Sequence, residues 1–189
     1  MSSENVVSSE EEIKKPHPYP ALARLTVERY LAGERPPLEG SEVDPDESLW
    51  NMRRGCFVTI KTASGVLRGC IGTIIPFQPS LDREIIENAV SASTGDPRFP
   101  AMTKAESASV QFSVDVLGPP ELVSDRSLLD VTHWGVIVSK GMSRGVLLPD
   151  LEGVDTVDQQ LEIACRKAGI FDMSGIAIER FSVDRYPEF

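Results

Sequence analysis

The sequence predicts an α+β protein built on a largely antiparallel sheet, and three features point there. Apolar runs at 55–61 and 66–75 flank the turn-like Thr62-Ala63-Ser64-Gly65 and read as a β-hairpin. A second pair, 135–139 and 145–148, is joined by Lys140-Gly141-Met142-Ser143-Arg144 and reads as another. Val110, Phe112, Val114 and Val116 alternate with Gln111, Ser113 and Asp115, the period-two pattern of a strand with one buried and one wet face. Hairpins mixed with separate helical segments define the α+β class.

Taken in order, residues 1–15 are rich in Ser and Glu and form a disordered acidic tail, leaving 16–189 as the folded unit. After Pro16 to Pro20 comes a short helix whose stripe is Ala23, Val27, Tyr30 and Leu31; Gly33 and Pro36-Pro37 end it. The acidic connection at 34–50 holds one helical turn near Leu49-Trp50. Ser80 caps a helix that buries Leu81, Ile85 and Ala89 and stops at Gly95. Asp96-Pro97-Arg98-Phe99-Pro100 is a stiff loop, since proline fixes its own φ. Thr156 and Gln159 make a capping box for a helix that buries Val157, Leu161, Ala164, Cys165 and Ala168, carries Arg166 and Lys167 in its last turn and ends at Gly169. A last strand segment, Ile176 to Val183, returns to a sheet.

Composition narrows the function classes. With 189 residues, 41% hydrophobic, the chain can bury a sizeable core. A net charge of −10 opposes non-specific attachment to nucleic acid or anionic membrane. No apolar run approaches the roughly 18 residues that span a bilayer. The polar, acidic start lacks the basic and apolar regions of a signal peptide, which predicts a cytoplasmic protein. Cys56, Cys70 and Cys165 are odd in number and far apart, against a disulfide framework. His17 and His133 lack metal-ligand spacing, so no metal site is expected, and no cofactor motif is present.

The stretch with chemical promise is Leu67-Arg68-Gly69-Cys70-Ile71-Gly72-Thr73. Two glycines inside a strand mark a bulge or a close approach. Strand alternation puts Arg68, Cys70 and Gly72 on one face, so a thiol lies beside a guanidinium where Gly72 leaves room. A free thiol titrates near about 8.5, and a neighbouring cation favours the thiolate, the nucleophilic form. Against this, a buried cysteine is a common structural choice, and only His133 is available as a base. Arg98 between prolines and Arg144 at a hairpin tip join Arg68 as guanidiniums on stiff backbone, suited to carboxylate or phosphate. Each could equally pair with a surface carboxylate; Asp96 is the local partner of Arg98.

The heptapeptide, with Gly55-Cys56-Phe57-Val58, Ile86-Glu87-Asn88-Ala89, Asp96-Pro97-Arg98-Phe99, Val114-Asp115-Val116-Leu117, Arg144-Gly145-Val146-Leu147-Leu148-Pro149 and Cys165-Arg166-Lys167-Ala168-Gly169, resembles the AMMECR domain family from Pro20 to the C-terminus. The resemblance implies a main antiparallel sheet flanked by helices, a smaller second lobe, and a cleft between them near the heptapeptide. It brings no established activity. It implies an association with Memo-like and radical SAM proteins, beside which such chains are encoded in prokaryotes. One departure concerns His133. The family commonly has histidine directly before the glycine that opens the second hairpin, where this chain has Trp134, and a one-residue shift reverses the strand face.

The leading expectation is an enzyme, or an enzyme component, acting on a small anionic substrate in the inter-lobe cleft. Cys70 is expected as a thiolate nucleophile or a ligand-contacting group, and Arg68, Gly69, Gly72, Thr73, Asp96, Arg98 and Arg144 as substrate-binding residues. The alternative is a non-catalytic module that binds a partner protein or a metabolite on the same surface. A nucleic-acid role ranks third because of the charge.

Overall fold

A helix, α1 (Pro18–Leu31), precedes the first hairpin, β1 (Cys56–Thr62) and β2 (Leu67–Gly72). The computed structural model describes residues 17–188; the acidic stretch 1–15 lies outside them. Next come α2 (Leu81–Val90), the short α3 (Lys104–Ser107), β3 (Val110–Leu117) and the two-residue β4 (Glu121–Leu122). The second hairpin is β5 (Gly135–Lys140) with β6 (Ser143–Leu147), followed by α4 (Val157–Lys167), β7 (Ala177–Phe181) and β8 (Val183–Pro187). They make two antiparallel four-stranded sheets, in orders β2-β1-β3-β8 and β4-β7-β5-β6.

The final strand segment is two strands, not one. β7 completes the second sheet, whereas β8 crosses back to pair with β3 in the first. The second sheet and α4 are thus an insertion between β3 and β8. The two crossing chains are pinned together where the Gly118 N–H donates to the Ser182 carbonyl at 2.8 Å.

The first core lies between the inner face of the first sheet and α1 with α2. Val58, Ile60, Phe112 and Val114 meet Leu22, Val27, Leu81, Ile85 and Ala89 there, all buried. The stripe of α1 differs from the expected one. Leu22, Ala23, Thr26 and Val27 are buried, and Tyr30 is 43% exposed. Thr26 can be buried because its hydroxyl donates to the Leu22 carbonyl at 2.7 Å. The second core gathers Val136, Val138, Leu161, Ala164, Cys165 and Ile178 under α4. The capping box there forms as expected, with the Gln159 N–H donating to Thr156 Oγ1 at 3.2 Å. Ser80 occupies the N-cap position of α2, but its hydroxyl donates to the Asp82 carboxylate instead of accepting from the helix.

Two departures from regular structure shape the surface between the lobes. The α2 helix ends at Val90 and opens into one π turn, Ser91–Gly95, before the proline loop. In the β1–β2 ladder, Ile60 faces Gly69 but Lys61 faces Leu67, so Arg68 is the extra residue of a bulge. The far end of β3 is also less wet than its alternation suggests: Asp115 is buried, and its carboxylate accepts from Arg185 Nε at 2.9 Å. A third apolar cluster explains why. Leu117, Ile137 and Phe181, with Phe57, Ile74, Val146, Leu148 and Val183 around them, join the two sheets at this end.

Candidate functional site

Beside that junction is a cavity of about 530 Å3 with walls from both lobes. The first lobe contributes Phe57, Cys70, Gly72, Ile74 and Arg98; the second contributes Arg144 through Leu148, Leu151 and Lys167. The volume falls in the range of small-molecule sites. Among the expected residues, Cys70, Gly72, Arg98 and Arg144 line one concavity.

The Cys70 position follows from the hairpin. Gly69 faces inward: a Cβ there would run into the carbonyl oxygen of Ala92 in the π turn. Its neighbour Cys70 therefore turns outward, with its Sγ 3.3 Å from Thr59 Oγ1 across the strand pair. At Gly72 a Cβ would strike the Phe57 ring, which takes that space and becomes cavity wall.

Asp96 is the hidden part of the site. Its side chain is buried, and Oδ2 accepts the Cys70 N–H at 2.9 Å and Arg98 Nη2 at 2.7 Å. Oδ1 accepts the Arg98 N–H at 3.1 Å and Arg98 Nε at 3.0 Å, an Asx turn that folds the loop back on itself. Arg98 Nη2 also donates to the Cys70 carbonyl at 3.0 Å. Both backbone polar groups of Cys70 are thus fixed by one ion pair. The Arg98 hydrogen bonds hold the Asp96 carboxyl well below the usual carboxylate range, with the Cys70 N–H adding to the effect. Asp96 in turn raises the Arg98 pKa, helped by the adjacent Cys70 side chain.

On the opposite wall, Arg144 Nη2 donates to Glu179 Oε2 at 2.9 Å. Lys167, from the last turn of α4, donates to the Val146 carbonyl at 2.9 Å and has no carboxylate within ion-pair distance among the described residues. Lys167 is absent from the expected set. A basic residue in a last helical turn is accounted for by the helix dipole, which masks a second role. The one signal for it was its place in the motif Cys165-Arg166-Lys167-Ala168-Gly169. The apolar walls, Phe57, Ile74, Val146 and Leu148, were legible only as core.

Three expected residues are placed elsewhere. The bulge sends Arg68 to Glu106 Oε1 at 3.0 Å and the Pro100 carbonyl at 3.0 Å, outside the cavity lining. Its guanidinium, with Thr103, lowers the Glu106 pKa to about 2. Thr73 turns toward α2, where its hydroxyl donates to buried Glu84 and accepts from Asn88 Nδ2 at 3.2 Å. Gly69 serves the close packing of β2 on the π turn. His133 is exposed, 3.1 Å from Asp130, in a separate hollow with Pro149, Asp150 and Arg185, and so is not poised as a base for Cys70. Of the other thiols, Cys56 is buried and its pKa pushed up to about 12, and burial raises that of Cys165 as well. No helix among the described residues is long and apolar enough to cross a membrane.

Known proteins share this architecture. A protein of Thermotoga maritima is 47% identical over 175 residues, covering 90% of this chain and 97% of its own. One from Clostridium acetobutylicum is 44% identical over 98% of this chain, which spans 39% of that longer protein. The crystal structure of an uncharacterised protein from Pyrococcus horikoshii superposes with a TM-score of 0.78 at 29% identity, covering 89% of each chain. The AMMECR1 family profile matches residues 20–186, nearly all of the described structure, and this chain belongs to the AMMECR1 family.

Proposed function

We propose that the inter-lobe cleft binds a small organic anion and presents it to the Cys70 thiol. One observation carries the reading: Arg98, Arg144 and Lys167 line the same cavity as Cys70, and no carboxylate among the described residues lines it, in a chain of net charge −10. Guanidiniums tethered by an acid on one edge keep donors for a ligand on the other. The double tether of the Cys70 backbone supports a reacting role for its side chain, because a nucleophile gains from fixed placement.

Alkylation by two reagents of equal reach and opposite charge character tests this. Iodoacetate is an anion and iodoacetamide is neutral, and Cys70 is the cysteine that lines the cavity, the other two being buried. The rate ratio of iodoacetate to iodoacetamide at Cys70, read by peptide mass spectrometry, should exceed that of a free thiol several-fold and fall in Arg144→Ala. A ratio at or below the free-thiol value would remove the anion-binding reading.

A further inference from the structure

The charge balance of the cleft restricts the class of anion, a step that rests on the cleft being an anion site. Three cations line the cavity, but two of them are already matched. Arg98 is held by Asp96, and Arg144 by Glu179. Among the described residues the Lys167 ammonium has one hydrogen bond, to the Val146 carbonyl, a neutral acceptor. Three cations set against two carboxylates leave one net positive charge. A carboxylate or other singly charged group would be neutralised by it, whereas a polyphosphate would bring surplus negative charge toward Asp96 and Glu179.

The remaining wall is apolar. Phe57, Ile74, Val146, Leu148 and Leu151 surround the charged groups, and Arg98 and Arg144 have guanidinium nitrogens (Nη1 in both) without hydrogen-bond partners among the described residues. These supply direction, Lys167 supplies charge, and the apolar wall supplies affinity in proportion to the area it covers.

From this arrangement we infer that the ligand is a singly charged organic acid with an apolar body, and that Lys167 provides its counter-charge. Nucleotides and other multiply charged phosphates are the wrong class for this cleft. Lys167 is a ligand-specificity residue on the wall opposite Cys70.

Calorimetric titration of the full chain with butyrate, hexanoate, succinate, pyrophosphate and the neutral hexanamide tests the inference. Hexanoate should bind more tightly than butyrate by roughly three- to fourfold per added methylene, and more tightly than succinate or pyrophosphate. Lys167→Met keeps the aliphatic stem and removes the charge. It should weaken hexanoate at least tenfold and leave hexanamide unchanged, which also shows that the variant is folded. Pyrophosphate binding more tightly than hexanoate would overturn the inference and leave the anion cleft standing. Equal hexanoate affinity in Lys167→Met would overturn the role of Lys167. Absence of binding by every anion in the series would overturn both the inference and the cleft reading beneath it.

Discussion

Gly69 and Gly145 hold matching places on the two walls of the cleft. Each sits in a strand beside a cavity residue, Cys70 in one case and Arg144 in the other. Each stands where a Cβ would collide with a helical carbonyl, of Ala92 for Gly69 and of Ala164 for Gly145. A few residues beyond that carbonyl, the chain delivers a cation to the cavity, Arg98 or Lys167. The walls differ in how that cation is held. Arg98 arrives on a loop after a π turn and needs the buried Asp96 to fix it, so its charge is matched locally. Lys167 arrives on a regular helix that is already fixed by packing, needs only a carbonyl, and keeps its charge. A loop-borne cation is costly to aim; a helix-borne one is aimed by the core beneath it.

The most damaging way to break the parallel is to fill either glycine. Gly69→Ala and Gly145→Ala each press a methyl against backbone that cannot rotate away. Each should cost about 3 kcal/mol, the upper end of ordinary overpacking. In a chain of this length that lowers the melting temperature by roughly 6–12 °C, measurable by calorimetry. If either alanine variant melts within about 2 °C of the parent, less than a 1 kcal/mol loss would produce, the close approach on that wall is not what holds it.

Asp96 separates the walls next. Asp96→Ala leaves the Cys70 N–H without its acceptor and Arg98 without its tether, a loss of about 1–3 kcal/mol by chemical denaturation. Glu179→Ala, which strips a more exposed pair, should cost less than about 1 kcal/mol. Acid sharpens the same contrast. Asp96 and Glu106 have folded pKa values below their unfolded ones, so their contribution is fully present above about pH 5 and is lost as pH falls through the folded values. For Glu106 that loss sets in near its unfolded pKa and is nearly complete by about 2; Asp96, also lowered, loses its contribution in the same direction. Denaturation midpoints should fall steadily below about pH 5, and Asp96→Asn combined with Glu106→Gln should flatten that fall. An unchanged slope in the double variant would mean other carboxylates govern the acid limb.

The contrast also explains what the sequence could show. Both hairpins, β3 and the capping box of α4 rest on signals within a few residues, such as turn chemistry, alternation and the Thr156–Gln159 pair, and they are present, although the second hairpin turns more tightly than expected: Arg144 lies within β6 opposite Ser139 and not at the tip, which is Gly141-Met142. The bulge at Arg68, the π turn before Asp96 and the division of the last strand between two sheets depend on contacts between distant segments. Arg68 illustrates the difficulty. Its shared face with Cys70 assumed an unbroken alternation, and a single extra residue redirected it to Glu106. For Lys167 the helix dipole was already a sufficient local reason for a lysine, and only the packing of Ala164 over Gly145 shows where its side chain leads.

The smallest effect on stability should come from the residue with the largest expected effect on the ligand. Among the described residues Lys167 makes one hydrogen bond, to the Val146 carbonyl, and Met has comparable helix propensity and a stem of similar length. Lys167→Met should therefore shift the unfolding free energy by no more than about 0.5–1 kcal/mol, mostly through the lost donor and the lost charge at a helix C-terminus. The iodoacetate-to-iodoacetamide ratio at Cys70 should nevertheless drop toward the free-thiol value, because the unmatched positive charge of the cleft is gone. Asp96→Asn should cost more stability and move the ratio the other way, by raising the net positive charge of the cavity and with it the preference for the anionic reagent. Opposite signs in these two variants would tie the anion preference to the charge balance between the walls; the same sign in both would make it a by-product of loosened structure.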